Sequence, residues 1–327
     1  MIRASIRRAA VTIAACAVTL SAGFPAHAAT TYSAFAFDLG SSEPTIYSFI
    51  NSATKTLDMT MYELSDTTAV NDLIARERAG VDVRVILDER EKSTNAAAYS
   101  ALQAAGVGVV YSSTTYYYTH QKTITVDGTE SLILTGNLTA KYYPTSRDYG
   151  VFDNDANDVN AIEQVFNADY AHTAITPSDG DNLLWSPTDS ESRLLSVING
   201  ATTSLDIEEE EFSDQAVVDA IANAASNGVT VRIALENPSS YSSEISEVEN
   251  AGATVVGYSS STGFYIHAKA IVADYGLSTE TVEAGSMNVT SNSLGSNREL
   301  GIILQDHGVA SVIESSFNSD FAGGTPS

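Results

Sequence analysis

From residue 53 onward, the chain repeats one order of apolar and polar positions twice. An extended apolar stretch at Leu57–Tyr62 is followed by apolar residues at helical spacing, and Gly80 then precedes a strand-like run at Val81–Leu87. The same order returns at an offset of 148, with Leu205–Glu210 and Val229–Leu235 in the corresponding places. Alternating helices and strands of this kind predict an α/β layered architecture.

Helix boundary signals also coincide in the two copies. Asp66 and Asp214 are suited to cap the start of a helix. Gly106 and Gly252 are suited to end the next one. A repeat of this length indicates two domains rather than a solenoid, whose period would be shorter. We predict an N-terminal half at 29–176 and a C-terminal half at 177–327, with a linker at Pro177-Ser178-Asp179-Gly180.

Residues 1–28 have the pattern of an export signal. Arg3, Arg7 and Arg8 form a basic start, an apolar stretch follows, and Ala26-His27-Ala28 fits the small-residue pattern of a cleavage site. The apolar stretch is too short and too rich in alanine to favour a permanent membrane span. We therefore expect a secreted protein, cleaved after Ala28. A lipoprotein box ending at Cys16 is a weaker alternative.

The charge of the chain narrows the class of partner. It has 16 Lys and Arg against 41 Asp and Glu, a formal net charge of −25, and cleavage would remove the three arginines of the signal. Such a surface repels polyanions, whereas proteins that bind nucleic acid usually present a basic footprint. The composition therefore argues against a nucleic-acid partner. Cleavage would also remove the single cysteine, so stability must come from a core and not from disulfides.

One short motif, His-x-Lys followed after four residues by Asp, occurs once in each copy. The chain contains only five Lys and five His, yet two of each fall in this frame. In a strand, side chains alternate between faces, so the His and the Lys of each copy point the same way. The motif consists of His120, Lys122 and Asp127 in the first copy and of His267, Lys269 and Asp274 in the second.

Two such faces brought together would surround one anion with two His, two Lys and two Asn. The Asn residues are Asn137 and Asn288, which lie downstream of the two motifs. Imidazoles can act as nucleophile and as acid, while ammonium and amide groups can stabilise the charge of a phosphate. Nothing in this set resembles a metal cage. The residues alone indicate a phosphate site with a built-in nucleophile and acid, and we expect neither a metal nor another cofactor.

These motifs, inside a repeat that covers nearly all of the chain after residue 28, resemble those of the phospholipase D superfamily. The resemblance implies a phospholipase D-like fold of two pseudo-symmetric α/β sandwich halves, with the active site at their interface. It also implies a two-step phosphodiester exchange through a covalent phosphohistidine, without a metal. One histidine attacks phosphorus while the other protonates the leaving alkoxide, and the family's usual order makes His120 the nucleophile.

The resemblance also assigns roles to residues around the motifs. The acids Asp148 and Glu299, each after an Arg, fall where the family places the carboxylate that orients each histidine. Asp127 and Asp274 are implied to brace a loop more than to touch substrate. The motif lysines and four further side chains are expected to bind the substrate phosphate, the four being Thr135 and Asn137 in the first copy and Ser286 and Asn288 in the second.

The two copies differ in length after the motif. Asp274 and Asn288 are four residues farther apart than Asp127 and Asn137. This difference predicts a hairpin insertion at Tyr275–Glu283 in the second copy.

Aromatic and acidic residues near the motifs each have two interpretations. Tyr116-Tyr117-Tyr118 and Tyr142-Tyr143 would form an aromatic rim for acyl chains, or else pack as partly buried tyrosines. Glu63 and Glu211 occupy equivalent positions, where they would attract a substrate ammonium group or form part of an acidic edge. The sequence leaves both questions open.

Four other polar residues are expected to be structural. We expect Glu208 and Glu209 to form a solvated acidic edge in an acidic protein. His172 and His307 lie outside any motif, so we expect them to be core residues with satisfied hydrogen bonds.

The favoured function is that of a secreted phospholipase D. We expect it to act as a monomer on phospholipids at a membrane or micelle surface, by hydrolysis or by transfer of the phosphatidyl group to an alcohol. The alternative is a secreted endonuclease of the same superfamily, against which the net charge counts. Two intact motifs disfavour a binding module without catalysis, and the lack of a spanning segment after the signal disfavours a synthase anchored in the bilayer.

Overall fold

The computed structural model describes residues 29–37, 42–259 and 261–327. The predicted export signal at 1–28 lies outside these residues. Two halves of one mixed α/β architecture follow each other along the described chain, which confirms the predicted fold class. Throughout these ranges, the helices are too short or too polar to cross a bilayer.

The N-terminal half contains a seven-stranded sheet and its flanking helices. In chain order, its elements are β1 (Tyr32–Ala36), α1 (Ser42–Ser52), β2 (Thr56–Met61), α2 (Thr67–Arg78), β3 (Asp82–Leu87), α3 (Lys92–Ala105), β4 (Gly108–Tyr111), β5 (Thr123–Val126), β6 (Glu130–Leu134), β7 (Ser146–Arg147), β8 (Tyr149–Asp153) and α4 (Ala156–Tyr170). The order across the sheet is β1-β8-β6-β5-β2-β3-β4. Strands β2, β3 and β4 are parallel, and the other neighbours are antiparallel.

The C-terminal half repeats this plan around an eight-stranded sheet. Its elements are β9 (Leu183–Ser186), α5 (Ser190–Gly200), β10 (Ser204–Glu209), α6 (Gln215–Ser226), β11 (Thr230–Glu236), a 3₁₀ turn (Pro238–Tyr241), α7 (Ser242–Ala251), β12 (Thr254–Tyr258), β13 (Tyr265–Ile266), β14 (Lys269–Ala273), β15 (Thr281–Gly285), α8 (Ser291–Gly295), β16 (Glu299–Leu304), α9 (His307–Gly323) and β17 (Thr325–Pro326). The order across the sheet is β17-β12-β11-β10-β14-β15-β16-β9. The predicted insertion lies in the turn between β14 and β15 and in the start of β15.

The helix boundaries follow the signals in the sequence. The side chain of Asp66 accepts hydrogen bonds from backbone amides at the start of α2, and Asp214 does the same for α6. Gly106 and Gly252 end α3 and α7 with φ angles of 92° and 112°. Only glycine adopts such angles without steric cost, so these two residues stop both helices at equivalent places.

The buried apolar side chains order the fold into five layers. Helices α1–α3 cover one face of the first sheet, and α5–α7 cover one face of the second. The inner faces of both sheets share a central core with α4 and α9. Tyr149, Trp185 and Ile302 lie in this core and are at most 1% exposed. Because burial of one such side chain contributes about 1.5–3 kcal/mol, this shared core joins the halves strongly.

Backbone pairing next to the motifs also joins the halves. β13 pairs in parallel with β7, which sets Ile266 opposite Arg147. Thr119 and Arg298 form an isolated β-bridge, and the backbone N–H of His120 donates to the carbonyl of Arg298 at 2.9 Å. The motif strands β5 and β14 pair with β2 and β10 inside their own sheets. The segments that flank the motif strands therefore make these backbone contacts between the halves.

Two buried ion pairs cross between the halves. Arg147 donates to Asp320 with Nη2 at 3.1 Å from Oδ1, and Arg298 donates to Asp169 with Nε at 2.9 Å from Oδ2. Both arginines are less than a tenth exposed. Removal of one partner from such a pair leaves an uncompensated buried charge and typically costs about 3–5 kcal/mol. Each half therefore depends on the other for its charge balance.

Four residues lie in surroundings opposite to those expected. Glu208 and Glu209 are each 1% exposed, because both faces of β10 are covered, so the predicted solvated edge is wrong. Burial raises the pKa of both carboxyls. His172 and His307 are exposed and not in the core. His172 lies just after α4, and His307 is the first residue of α9, so both are at solvent-exposed helix ends.

Glu283 makes the stability of the protein depend on pH. It is buried on β15, and burial raises its pKa from 4.5 to about 8. Between these two values the unfolded chain releases the proton and the folded chain keeps it, so the free energy of unfolding falls as pH rises. We expect Glu283→Gln to reduce this loss by an amount on the order of a few kcal/mol, measured by urea unfolding at pH 5 and pH 8.5.

Other buried acids with raised pKa, such as Glu209, will keep part of the pH dependence in the Glu283→Gln variant. Glu191→Gln is the control, because Glu191 is exposed at the start of α5 and its replacement should leave the slope unchanged. Equal pH dependence of Glu283→Gln and the native protein would contradict this account.

Candidate active site

His120 and His267 line one pocket of about 530 Å³ between the halves. His120 lies in the extended segment before β5, and His267 lies between β13 and β14. Both segments pair with backbone of the other half, and this pairing turns the two rings toward the same cavity. The structure therefore brings the two motifs together, as the sequence predicts.

Each histidine is held by the acid of the opposite half. The Nδ1 atom of His120 is 2.8 Å from Oε2 of Glu299, and that of His267 is 2.8 Å from Oδ1 of Asp148. A carboxylate at Nδ1 fixes the tautomer and leaves Nε2 for chemistry. Burial opposes ionisation of both acids, but the imidazoles outweigh it and lower the pKa of Glu299 and of Asp148. Burial lowers the pKa of His120.

The hydroxyls of Thr135 and Ser286 support this arrangement from outside the pocket lining. Thr135 Oγ1 donates to Asp148 at 2.7 Å, so its proton is already used. The Ser286 hydroxyl bonds to the backbone of Leu300, and the Ser286 carbonyl is 3.1 Å from Nδ1 of His120. Both residues are at most 1% exposed. The structure gives them a positioning role in place of the expected direct contact with substrate.

The motif lysines lie behind the histidines. Lys122 is 1% exposed and Lys269 is fully buried, and each ammonium donates to the carbonyl of its own motif histidine. Burial and the charge of Lys269 lower the pKa of Lys122 to about 7. Burial also acts to lower the pKa of Lys269. The carboxylate of Glu210, with Oε2 at 2.7 Å from Nζ, acts in the opposite direction, and the pKa of Lys269 is raised. The lysines therefore supply positive charge to the pocket from behind the two rings.

Asn137 and Asn288 line the pocket at equivalent places in the two halves. The side-chain oxygen of each is buried and has no hydrogen-bond partner among the described residues. A buried amide without a partner is costly, and a bound ligand would satisfy it. Such an oxygen accepts, so it suits a donor group of a ligand, and only the Nδ2 groups of the two side chains can donate to the oxygens of a phosphate.

Asp127 and Asp274 brace loops and do not line the pocket. Both adopt a φ of 54°. Their carboxylates accept hydrogen bonds from several backbone N–H groups in the loop that leads into β2 or β10. These hydrogen bonds outweigh burial and lower the pKa of Asp127 to about 2. The loop residues are Thr54, Lys55 and Thr56 for Asp127 and Thr202, Thr203 and Ser204 for Asp274.

Glu210 is a pocket residue that the sequence did not single out. Its Oε2 lies 3.6 Å from Nε2 of His267, in addition to its contact with Lys269. In the first half the equivalent position is Tyr62, whose ring centroid is 4.6 Å from that of His120. The repeat offset of 148 aligns Glu210 with Tyr62, an acid with an aromatic residue at the ends of two equivalent strands. The sequence therefore contained a signal that the two sites differ here.

The polar groups that hold Glu299 were also missed. Asn297 donates to Oε1 of Glu299 at 2.8 Å, and the hydroxyl of Ser293 donates to the same oxygen. Both residues line the pocket at its edge. Asn297 corresponds in the repeat to Ser146, whose hydroxyl donates to Asp148 at 3.2 Å, so the sequence contained a signal for it; Ser293, on α8, has no such signal.

In the described ranges, no cluster of three or more His, Cys, Asp or Glu side chains is suited to hold a metal ion. The chemistry that the residues themselves offer is that of two imidazoles held at Nδ1 by carboxylates, two amides and two buried lysines. Such a set can attack, protonate and stabilise an anionic phosphorus centre.

The chain belongs to the phospholipase D superfamily. The family described as cardiolipin synthase, PLD-like domain, matches residues 46–170 and 194–321, which include both histidine motifs. Members of this superfamily cleave or transfer phosphodiesters. Comparison with curated protein sequences gives no match.

Solved structures show the same fold at low sequence identity. A polyphosphate kinase from Porphyromonas gingivalis is 14% identical with a TM-score of 0.68, over 89% of this chain and 50% of the kinase. This chain thus spans about half the length of that protein. A phosphatidylserine synthase from Haemophilus influenzae is 13% identical with a TM-score of 0.67, over 88% of this chain and 85% of the synthase. The yeast tyrosyl-DNA phosphodiesterase is 10% identical with a TM-score of 0.50, over 84% and 89%.

The hydrogen bonds of Asp274 predict a structural and not a chemical defect on its replacement. Asp274→Asn replaces an acceptor of five N–H and O–H groups by an amide, so we expect the free energy of unfolding to fall by about 2–4 kcal/mol. The folded fraction should keep a turnover rate within about tenfold of the native rate. Urea unfolding and single-turnover kinetics measure the two effects separately.

The matched variant His267→Asn should lose far more rate than Asp274→Asn, with a loss of stability limited by the amide, which can still donate to Asp148. If Asp274→Asn is as stable as the native protein but inactive, Asp274 takes part in the chemistry and the bracing role is wrong.

Proposed function

We propose that the protein is an exported phosphodiesterase of phospholipase D type that acts on phospholipids. The observation that supports this most directly is the pair of imidazoles that face one pocket, each with a carboxylate at Nδ1. In this proposal the protein leaves the cell by the signal at 1–28 and works as a monomer at a membrane or micelle surface. It either hydrolyses the lipid or transfers its phosphatidyl group to an alcohol.

The proposed reaction has two steps. In the first, Nε2 of His120 attacks phosphorus, the bond to the head-group oxygen breaks, and that oxygen takes the proton of His267. In the second, His267 takes a proton from water or an alcohol, whose oxygen displaces His120 from phosphorus. Asn137 and Asn288 stabilise the phosphate oxygens, a contribution of about 3–4 kcal/mol for one well-placed donor.

The pocket lining supports a lipid substrate over a polyanion. It contains no Arg or Lys among the described residues, since both motif lysines are buried behind the histidines. A nucleic acid would need basic side chains along its backbone beyond the single reacting phosphate. A phospholipid presents one phosphodiester, which the amides and ammonium groups can serve alone.

Acidic and aromatic residues at the mouth of the pocket support a cationic head group. Glu63 and Glu211 line the pocket beside the rings of Tyr118 and Tyr142. Carboxylates and aromatic faces together attract ammonium groups. Tyr142 is 41% exposed, so it also supplies an amphipathic surface where lipid would enter. Choline and ethanolamine lipids carry such a head group.

The purified protein without its signal should release choline from phosphatidylcholine in the presence of a chelator and leave plasmid DNA intact. His120→Asn should reduce that release by at least about 10³-fold, because a covalent nucleophile is lost. Head-group release and gel analysis of the plasmid, at one moderate salt concentration, measure both activities. Rapid cleavage of DNA with no lipid turnover would make the protein a nuclease, and inactivity on both would refute a phosphodiesterase.

A further inference from the structure

The two halves of the site differ in charge at one pair of equivalent positions. Glu210 follows β10, where its carboxylate contacts Lys269 at 2.7 Å and lies 3.6 Å from Nε2 of His267. Tyr62 follows β2 in the same way and packs the edge of its uncharged ring against His120. The pseudo-symmetry of the fold therefore holds for the backbone and fails for the electrostatics of the two histidines.

His267 consequently lies between two carboxylates. Asp148 binds its Nδ1 atom and Glu210 faces its Nε2 atom, whereas His120 has one carboxylate, Glu299, at Nδ1. Two negative groups around one ring favour its imidazolium form, since each attracts the added proton. A ring that packs against an aromatic side chain receives no such support at Nε2.

We propose that Glu210 is a positioning residue that holds the proton on His267, the proton donor of the proposed reaction. This role rests on the proposed function, which it deepens by adding a residue that acts through His267. It comes from a side chain that lies outside the repeated motif.

The other groups around Glu210 are compatible with this role. Lys269 on β14 and the hydroxyl of Tyr265 on β13 donate to its two oxygens. Burial disfavours the carboxylate, but Lys269 and His267 outweigh burial and hold the pKa of Glu210 well below its usual range. The acids that act on it or on these partners are Asp148, Glu209, Glu211 and Glu236, and Glu63 also acts on His267. Glu210 thus stays charged throughout the working pH range.

Glu210 acts in the first chemical step. The P–N bond to His120 forms while the P–O bond to the head group breaks, and the leaving oxygen keeps the electron pair. The alkoxide of choline is a poor leaving group, so it needs the proton of His267 as the P–O bond breaks. A nitrophenolate is stable without a proton. The effect of Glu210 should therefore depend on the leaving group.

The test compares Glu210→Gln with the native protein on phosphatidylcholine and on phosphatidyl-4-nitrophenol. Single-turnover release of the head group isolates the first step. We expect the variant to lose about 10²-fold or more on phosphatidylcholine and less than about fivefold on the nitrophenyl lipid. The alkaline limb of the rate profile for phosphatidylcholine should move to lower pH, because one of the two carboxylates around His267 is lost.

Two further variants separate this role from simple structural damage. Glu211→Gln removes the neighbouring carboxylate of the pocket, and it should raise the KM for choline lipids while moving the alkaline limb less than Glu210→Gln does. Glu210→Asp keeps the charge on a shorter arm and should restore part of the rate.

Equal losses on the two lipids with an unmoved alkaline limb would overturn the role of Glu210, as would a gain in rate for Glu210→Gln. A native protein that turns over neither lipid would instead remove the proposed function itself.

Discussion

Each half of this protein completes the active histidine of the other half. The segments with His120 and His267 pair with backbone at Arg298 and Arg147, and the next residue along, Glu299 or Asp148, binds Nδ1 of the paired histidine. The same two arginines form buried ion pairs with α4 and α9 of the opposite half. One Arg-acid dipeptide per half therefore fixes the interface and the tautomer of the reacting ring together. Neither half alone would have a complete site or a balanced interior.

This exchange explains why so much charge is buried near the pocket. A carboxylate behind each ring is tolerated because the imidazole, hydroxyls and amides around it compensate its desolvation. The two lysines also lie behind the rings, where each ammonium group donates to the backbone carbonyl of its own motif histidine. The pocket surface is left to uncharged amides, tyrosines and a few acids. This surface is the basis for proposing a substrate with a single phosphodiester rather than a chain of phosphates.

The repeat allowed the sequence to predict the helices that follow Asp66 and Asp214, the strands before the motifs, and the two histidines and two asparagines that line the pocket. Asp66, Gly106 and the His-x-Lys spacing act locally, so local reasoning located them. The exchange between Asp148 and Glu299 was not predictable, because the order of residues in two similar halves does not say which half supplies which partner. Glu208 and Glu209 were misjudged for a related reason: acidic residues indicate solvent unless a second sheet covers them. Helices α4 and α9 were not predicted, although Asp155 and Asp306 cap them.

Two histidines of unlike charge environment around one phosphate are the core of the functional account. The most direct measurement is to mix the protein with phosphatidylcholine labelled in its phosphate, denature it rapidly at alkaline pH, and map the modified peptide by mass spectrometry. The phosphatidyl group should be found on His120, since its Nε2 faces a neutral ring while that of His267 faces Glu210. Label on His267 would reverse the assignment, and label on neither histidine, with lipid turnover intact, would contradict the covalent mechanism.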